Sequence, residues 1–189
     1  MQSMIYLARH ATPDWSRVDV RYDIPPGPPL TAQGEAEAAQ LGAFLREAGV
    51  RKIYASPLER ALRTAQIAGE QAAIPVEEIA MIAEWQRGES EAAVLERFLP
   101  FWASACVESQ SVGPLALVTH GGPVRLMLEY LEHDREEIKF YRKQFDRDNP
   151  LPPAGAWRIH REHEDGPWRI ELCFTPQPFQ RYEAQIVHV

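Results

Sequence analysis

The stretch LALVTHGGPV (Leu115–Val124) sets a short run of buried residues directly against the start of a helix. Leu115 to Thr119 is apolar up to its last residue, the pattern of a strand covered on both faces. Pro123 suits a first helical turn, because its fixed φ is helical and its missing N–H would find no partner there anyway. Val124, Met127, Leu128 and Leu131 then fall on one side of that helix. A fully buried strand handing over to an amphipathic helix predicts helices layered on a mostly parallel sheet.

The rest of the chain repeats this alternation. Met4 to Ala8 is a second continuous apolar strand, and it ends at Arg9-His10. Residues 11–30 form a long loop in which Pro13, Pro25, Pro26, Gly27, Pro28 and Pro29 exclude regular structure. Thr31 caps a helix with Leu41, Phe44, Leu45 and Ala48 on its inner face, stopped by Gly49. Lys52 to Ala55 is a short strand. Ser56-Pro57 reads as N-cap and first helical position of a helix striped by Leu58, Ala61, Leu62, Ala65, Ala68 and Ala72, and closed by Pro75. A brief strand is expected within Val76–Ile82, a loop at Glu84–Gly88, and one or two helices across Ser90–Val107. Asp134-Arg135-Glu136-Glu137 is a solvated helix start, Pro150–Pro153 a local joint, and Ala156–Arg161 pairs with Trp168–Phe174 in a hairpin across Asp165-Gly166. The expected fold is one domain over residues 1–189, an α/β protein built as a three-layer α/β/α sandwich with a mostly parallel central sheet. Residues 89–110 form a variable helical insertion and the closing strands occupy about 154–175.

Composition narrows the function. With 189 residues, 45% of them hydrophobic, the chain can build a substantial core. Twenty Lys and Arg against 27 Asp and Glu leave a formal charge of -7, which gives no general attraction to nucleic acid or to an anionic membrane. Any anion site must therefore be a local gathering of Arg and His. Cys106 and Cys173 lack CxxC spacing, so neither zinc nor a disulfide framework is expected, and a reducing, cytoplasmic setting fits. No window approaches the ~18 apolar residues of a membrane span. His160 and His163, with His133, are not spaced to meet at one point, so no metal site is expected of them.

Three strand ends carry the chemistry: Arg9-His10, Ser56-Pro57 with Arg60 one turn on, and His120-Gly121. In α/β folds ligands sit beyond the carboxyl ends of strands, beside helix N-termini. If these ends share one edge of the sheet, two arginines and two imidazoles converge on an anion, and the guanidinium fork suits phosphate.

The residues also carry a resemblance. LARHATPDW (Leu7–Trp15), PPLTAQG (Pro28–Gly34), YASPLERALRTA (Tyr54–Ala65), the acid of AEWQRG (Ala83–Gly88) and LVTHGG (Leu117–Gly122) follow one another in a familiar order and approximate spacing. From Met4 to about His133 the chain resembles the histidine phosphatase superfamily, also called the phosphoglycerate-mutase-like family. The resemblance implies a phosphoglycerate-mutase-like sandwich and a metal-independent phosphatase acting on a small phosphorylated molecule without a cofactor. His10 would attack phosphorus and carry the phosphoryl group. Arg9, Arg60 and His120 would hold its oxygens, and Glu84 would protonate the leaving oxygen.

In such a reaction His10 must be neutral at the attacking nitrogen, with its other nitrogen held by a backbone carbonyl, whereas a protonated His120 would help neutralise the phosphate. Gly121, Thr12 and Trp15 are further candidates for substrate contact, with Tyr22 and Trp85 as walls. Three positions depart from the family pattern: Ala11 stands where glycine is usual, Thr12-Pro13 replaces an acidic or amide residue, and Trp85–Glu89 only partly echoes the acid loop. Glu89 is therefore a second candidate acid. The alternatives are a phosphoglycerate-type mutase, a protein phosphohistidine phosphatase and a non-catalytic phosphate-binding protein. The short span 85–114 disfavours the first, Glu84 the second, and the retained His10 and arginines the third.

Overall fold

A computed structural model of the chain describes residues 2–163 and 166–179. Among the described residues six strands make one sheet: β1 (Ser3–Arg9), β2 (Lys52–Ala55), β3 (Val76–Glu78), β4 (Leu115–Thr119), β5 (Ala156–Arg161) and β6 (Arg169–Phe174), in the order β3-β2-β4-β1-β5-β6. β1, β2, β3 and β4 run parallel, and β5 and β6 close one edge antiparallel. The strands of the expected hairpin are present, but Asp165 of its turn lies outside the described residues.

Five helices cover the sheet: α1 (Ala32–Glu47), α2 (Glu59–Ala72), α3 (Glu91–Val112), α4 (Gly121–Tyr130) and α5 (Arg135–Gln144). Because side chains alternate along a strand, an apolar strand serves two cores at once. Ile5, Leu7, Leu115 and Leu117 meet Phe98 and Trp102 of α3 and Met127 of α4 on one face, together with Trp157. Tyr6, Ala8, Ala116 and Val118 meet Leu41 and Leu45 of α1 and Ala61, Ala65 and Ala68 of α2 on the other. The result is the expected α/β/α sandwich. No helix of the described residues is long and apolar enough to cross a membrane.

Local expectations hold at several ends. Thr31 caps α1 by accepting from the Gly34 N–H at 3.0 Å, and Asp134 caps α5 in the same way. Three details differ. α2 begins at Glu59 with Leu58 at its N-cap position, while the Ser56 hydroxyl lies 2.7 Å from His120 Nε2 and accepts the Leu58 N–H at 3.4 Å. α3 is one helix of 22 residues running through Pro100. Its buried face of Val94, Phe98, Phe101, Trp102 and Ala105 outweighs a proline penalty of about 3 kcal/mol. The segment 150–154 is no mere joint: it is buried throughout, and the turn before it reaches into the site.

Candidate active site

The register of the central strands decides which side chains meet. Arg9 lies opposite Thr119, and beyond the pair the His10 N–H donates to the Thr119 carbonyl at 2.9 Å. On the other side of β4 the Ser56 N–H donates to the Val118 carbonyl at 3.0 Å. His10, Ser56 and His120 therefore leave the same edge of the sheet together, beside the start of α4.

His10 is fully buried. Its Nδ1 lies 2.7 Å from the Ala11 carbonyl, and as the N–H donor there it leaves Nε2 with the free lone pair. The Ala11 N–H donates to Thr64 Oγ1 at 2.9 Å, and that hydroxyl donates to the Arg60 carbonyl at 2.6 Å, which ties the Arg-His segment to α2. Ala11 is buried and free of positive φ, so its methyl is accepted where glycine is usual.

Arg60 is fully buried as well. Its Nη1 donates to the Tyr22 carbonyl at 2.8 Å, its Nη2 to Glu84 Oε2 at 3.1 Å, and its guanidinium carbon stands 3.8 Å over the Tyr22 ring. Gly27, at φ +71°, makes this approach possible, since a Cβ there would fall 2.9 Å from Arg60 Nη1. Glu84 accepts the Trp85 N–H through Oε1 at 2.9 Å and holds Oε2 3.4 Å from His120 Nδ1. The Tyr22 hydroxyl lies 3.5 Å from His10 Nε2, and burial and then Glu84 push it up to about 12, so it remains a proton donor.

Burial, and then the guanidinium charges of Arg60 and Arg9, hold His10 well below the usual histidine value. Burial, Arg60 and His10 do the same to His120. The neutral His10 expected from the sequence is thus favoured. A protonated His120 is not, because burial removes the water that would solvate the charge and the neighbouring guanidinium groups add to the cost.

Residues 5–91 match the family model described as the histidine phosphatase superfamily, branch 1. Over these residues the chain is similar to the histidine phosphatase superfamily. It is 34% identical over 95 residues to the uncharacterized phosphatase PhoE of Bacillus subtilis, a match covering 49% of this chain and 47% of that protein. It is 36% identical over 93 residues to the probable phosphoglycerate mutase GpmB of Klebsiella pneumoniae, covering 49% of this chain and 40% of that one. These matches thus span less than half the length of either curated relative. The crystal structure of a phosphoglycerate mutase from Bacillus anthracis superposes with a TM-score of 0.73 at 16% identity, over 91% of this chain and 92% of that one, which shows a shared fold.

Among the histidine phosphatase motifs, Arg9 carries a partner that sequence reading missed. Its Nη1 and Nη2 grip Asp146 at 2.6 and 3.0 Å in a pair 2% exposed on both sides, and Nη1 also donates to the Leu151 carbonyl at 3.2 Å. No local signal marks Asp146, which lies 137 residues away in a short charged run.

The two candidate acids separate. Glu84 sits with His10 and His120, whereas Glu89 is bound by Arg97 at 2.7 and 3.1 Å, which holds its carboxyl below the usual range. Arg97 also donates to the Glu84 carbonyl at 3.0 Å, and Trp85 Nε1 to the Glu89 carbonyl at 2.6 Å, so Glu89 shapes the acid loop. Thr12 is not brought to the cluster through its hydroxyl, which, like its N–H, donates to Glu37 of α1. Trp15 stacks on Tyr22 with ring centroids 5.0 Å apart. Gly121 opens α4 directly against the Asn149 side chain, which a Cβ there would strike and have to displace.

His10, Glu84 and His120 offer ligand atoms within 4.8 Å of one another, close enough in principle to surround a metal ion. Arg60, hydrogen-bonded to Glu84 beside them, makes the setting electrostatically suited to an anion instead.

The buried imidazoles give a pH prediction. Both bind a proton less readily in the folded chain than at the unfolded value near 6.5, so the unfolded state takes up more protons as pH falls. Their contribution to stability is therefore complete above pH 6.5 and is lost as pH drops below it. Denaturant midpoints measured from pH 8 to pH 5 are expected to fall below pH 6.5, and less steeply in a His10→Asn, His120→Asn double variant. An equal slope in the two proteins would contradict the assignment.

Proposed function

We propose that the chain hydrolyses a small phosphate monoester through a phosphohistidine on His10, with Glu84 as proton donor and no metal ion. The observation that carries this reading is a buried His10 with Nδ1 2.7 Å from the Ala11 carbonyl, beside Arg60, Glu84 and His120. Among the described residues, Arg9 Nε, Arg60 Nε and His120 Nδ1 are buried without a hydrogen-bond partner, which a phosphoryl oxygen would supply.

His10 Nε2 attacks phosphorus while the bond to the leaving oxygen breaks, and Glu84 gives that oxygen its proton. Water then attacks the phosphohistidine, Glu84 recovers a proton from it, and phosphate departs with His10 neutral again. A bound phosphate dianion would raise His120 and favour its protonated form. Neutralising the equatorial oxygens with two arginines is the largest electrostatic contribution available here.

A mutase uses the same nucleophile but must keep water from it. In the span 85–114, α3 takes up residues 91–112 and packs its inner face into the core, which supports hydrolysis over a closed mutase lid. One sheet drawing strands from both ends of the chain supports a single domain, and two free thiols fit a cytoplasmic setting.

Purified protein treated with chelator is expected to hydrolyse aryl phosphates at an undiminished rate. Glu84→Gln should slow esters of poor leaving groups by about 10²–10⁴-fold and those of good leaving groups much less. Loss of activity on chelation would refute the metal-free reading, and a uniform effect of Glu84→Gln would move the acid elsewhere.

A further inference from the structure

The turn that delivers Asp146 to Arg9 also presents Arg147, a residue that neither the motifs nor the mechanism above uses. Arg147, at φ 53° and ψ 31°, and Asp148, at φ 58°, both adopt the left-handed conformation that side-chain-bearing residues avoid. The surrounding contacts hold them there. Asp146 is gripped by Arg9 on one side, Asp148 is paired with Arg142 on the other, and the Asn149 side chain abuts Gly121.

This turn lays the Arg147 guanidinium over the Trp15 ring at 3.7 Å and within 5.9 Å of the Tyr22 ring centre. Tyr22 in turn stacks on Trp15, carries Arg60 over its ring, and places its hydroxyl 3.5 Å from His10 Nε2. A continuous stack of cations and aromatic rings thus leads from the buried nucleophile to an exposed arginine at the mouth of the site. A stacked guanidinium keeps its N–H groups in the ring-parallel plane, free at their edges for a bidentate anion. Among the described residues no carboxylate pairs with Arg147, and the nearest in sequence, Asp146 and Asp148, are taken by Arg9 and Arg142.

We propose that Arg147, seated on Trp15, is a specificity residue that binds a second anionic group, a carboxylate or a phosphate, on the organic part of the ester whose phosphoryl group His10 receives. This rests on the phosphatase reading and narrows its substrates to phosphate esters with two anionic ends. The positive charge of Arg147 also reaches His10, consistent with its place in the same site.

The test compares alkyl phosphates of graded chain length, each unsubstituted, bearing a terminal carboxylate, or bearing a second terminal phosphate. At the best length, the wild-type chain is expected to favour an anion-bearing ester in kcat/KM by about tenfold or more, the scale of one charge-assisted hydrogen-bonding pair. Arg147→Gln should erase that preference through KM, and Arg147→Lys should keep part of it. Whichever anionic series loses more in Arg147→Gln identifies the second group.

The corresponding alkylphosphonates, which cannot be hydrolysed, give the same comparison as equilibrium binding by calorimetry. Turnover with no preference that depends on Arg147 would overturn this proposal and leave the phosphatase standing. An Arg147-dependent preference among bound phosphonates, without hydrolysis of any ester, would do the reverse. Failure of every phosphonate to bind would overturn both.

Discussion

His10→Ala is expected to remove turnover of every phosphate ester, a loss on the order of 10⁴-fold or more, and to abolish acid-labile phosphate labelling of the protein. The size of the effect follows from the site. The Ala11 N–H bond to Thr64 fixes the backbone of this segment, and the Ala11 carbonyl orients the ring so that its Nε2 lone pair is the one presented to phosphorus. His120 is not a substitute, since its Nε2 is engaged with Ser56 and its Nδ1 faces Glu84. Because His10 is buried, His10→Asn serves as a companion that fills more of the cavity and should be equally inactive with a native circular dichroism spectrum. Activity within tenfold of wild type in either folded variant would rule out the phosphohistidine.

The second large effect lies at Asp146. Removing this carboxylate strands the Arg9 charge in a setting almost without water, and breaking such a buried pair costs about 3–5 kcal/mol. Asp146→Ala should therefore shift the denaturation midpoint strongly and lower activity as well, because Arg9 loses the two bonds that set its orientation. An Arg9→Met, Asp146→Leu double variant removes both charges and is expected to recover much of the stability while remaining inactive. That split separates the stabilising role of the pair from the positioning of Arg9. A fully stable Asp146→Ala protein would show that the pair contributes nothing.

Much of the fold was legible because its signals are local. The continuous apolar runs Met4–Ala8 and Leu115–Thr119 can be satisfied only by burial on both faces, and they became β1 and β4 at the centre of the sheet. Thr31 announced the start of α1 because its hydroxyl accepts the Gly34 N–H of the helix's own first turn, while it also donates to the Thr12 carbonyl. Ser56-Pro57 carried a similar local signal and set the start of α2 too early: Ser56 accepts the Leu58 N–H and meets His120, but the helix begins at Glu59, whose N–H is taken by the Pro26 carbonyl of the long loop.

The site divides along the same line. Arg9, His10, Arg60, Glu84 and His120 could be chosen from the sequence, since each sits at a strand end or within a spaced motif whose residue types already suit phosphate. The resemblance favoured Glu84 over Glu89, five residues on in the same loop, and the structure sets them apart, with Glu84 beside His10 and His120 and Glu89 bound to Arg97. The state of His120 could not be read from the sequence, because it depends first on how deeply the ring is buried and then on the Arg60 charge beside it.

By itself, then, the sequence determined the order of strands and helices, the parallel core and the identity of the residues that gather at the strand ends, since hydrophobic period and capping act over a few positions. Only the tertiary structure decided that Asp146 neutralises Arg9, that Arg147 lies over Trp15 and that Thr12 turns to Glu37. The first two join residues well over a hundred positions apart, and the third joins a loop to a helix. Such contacts depend on where folded elements come to rest, which no local pattern along the chain encodes.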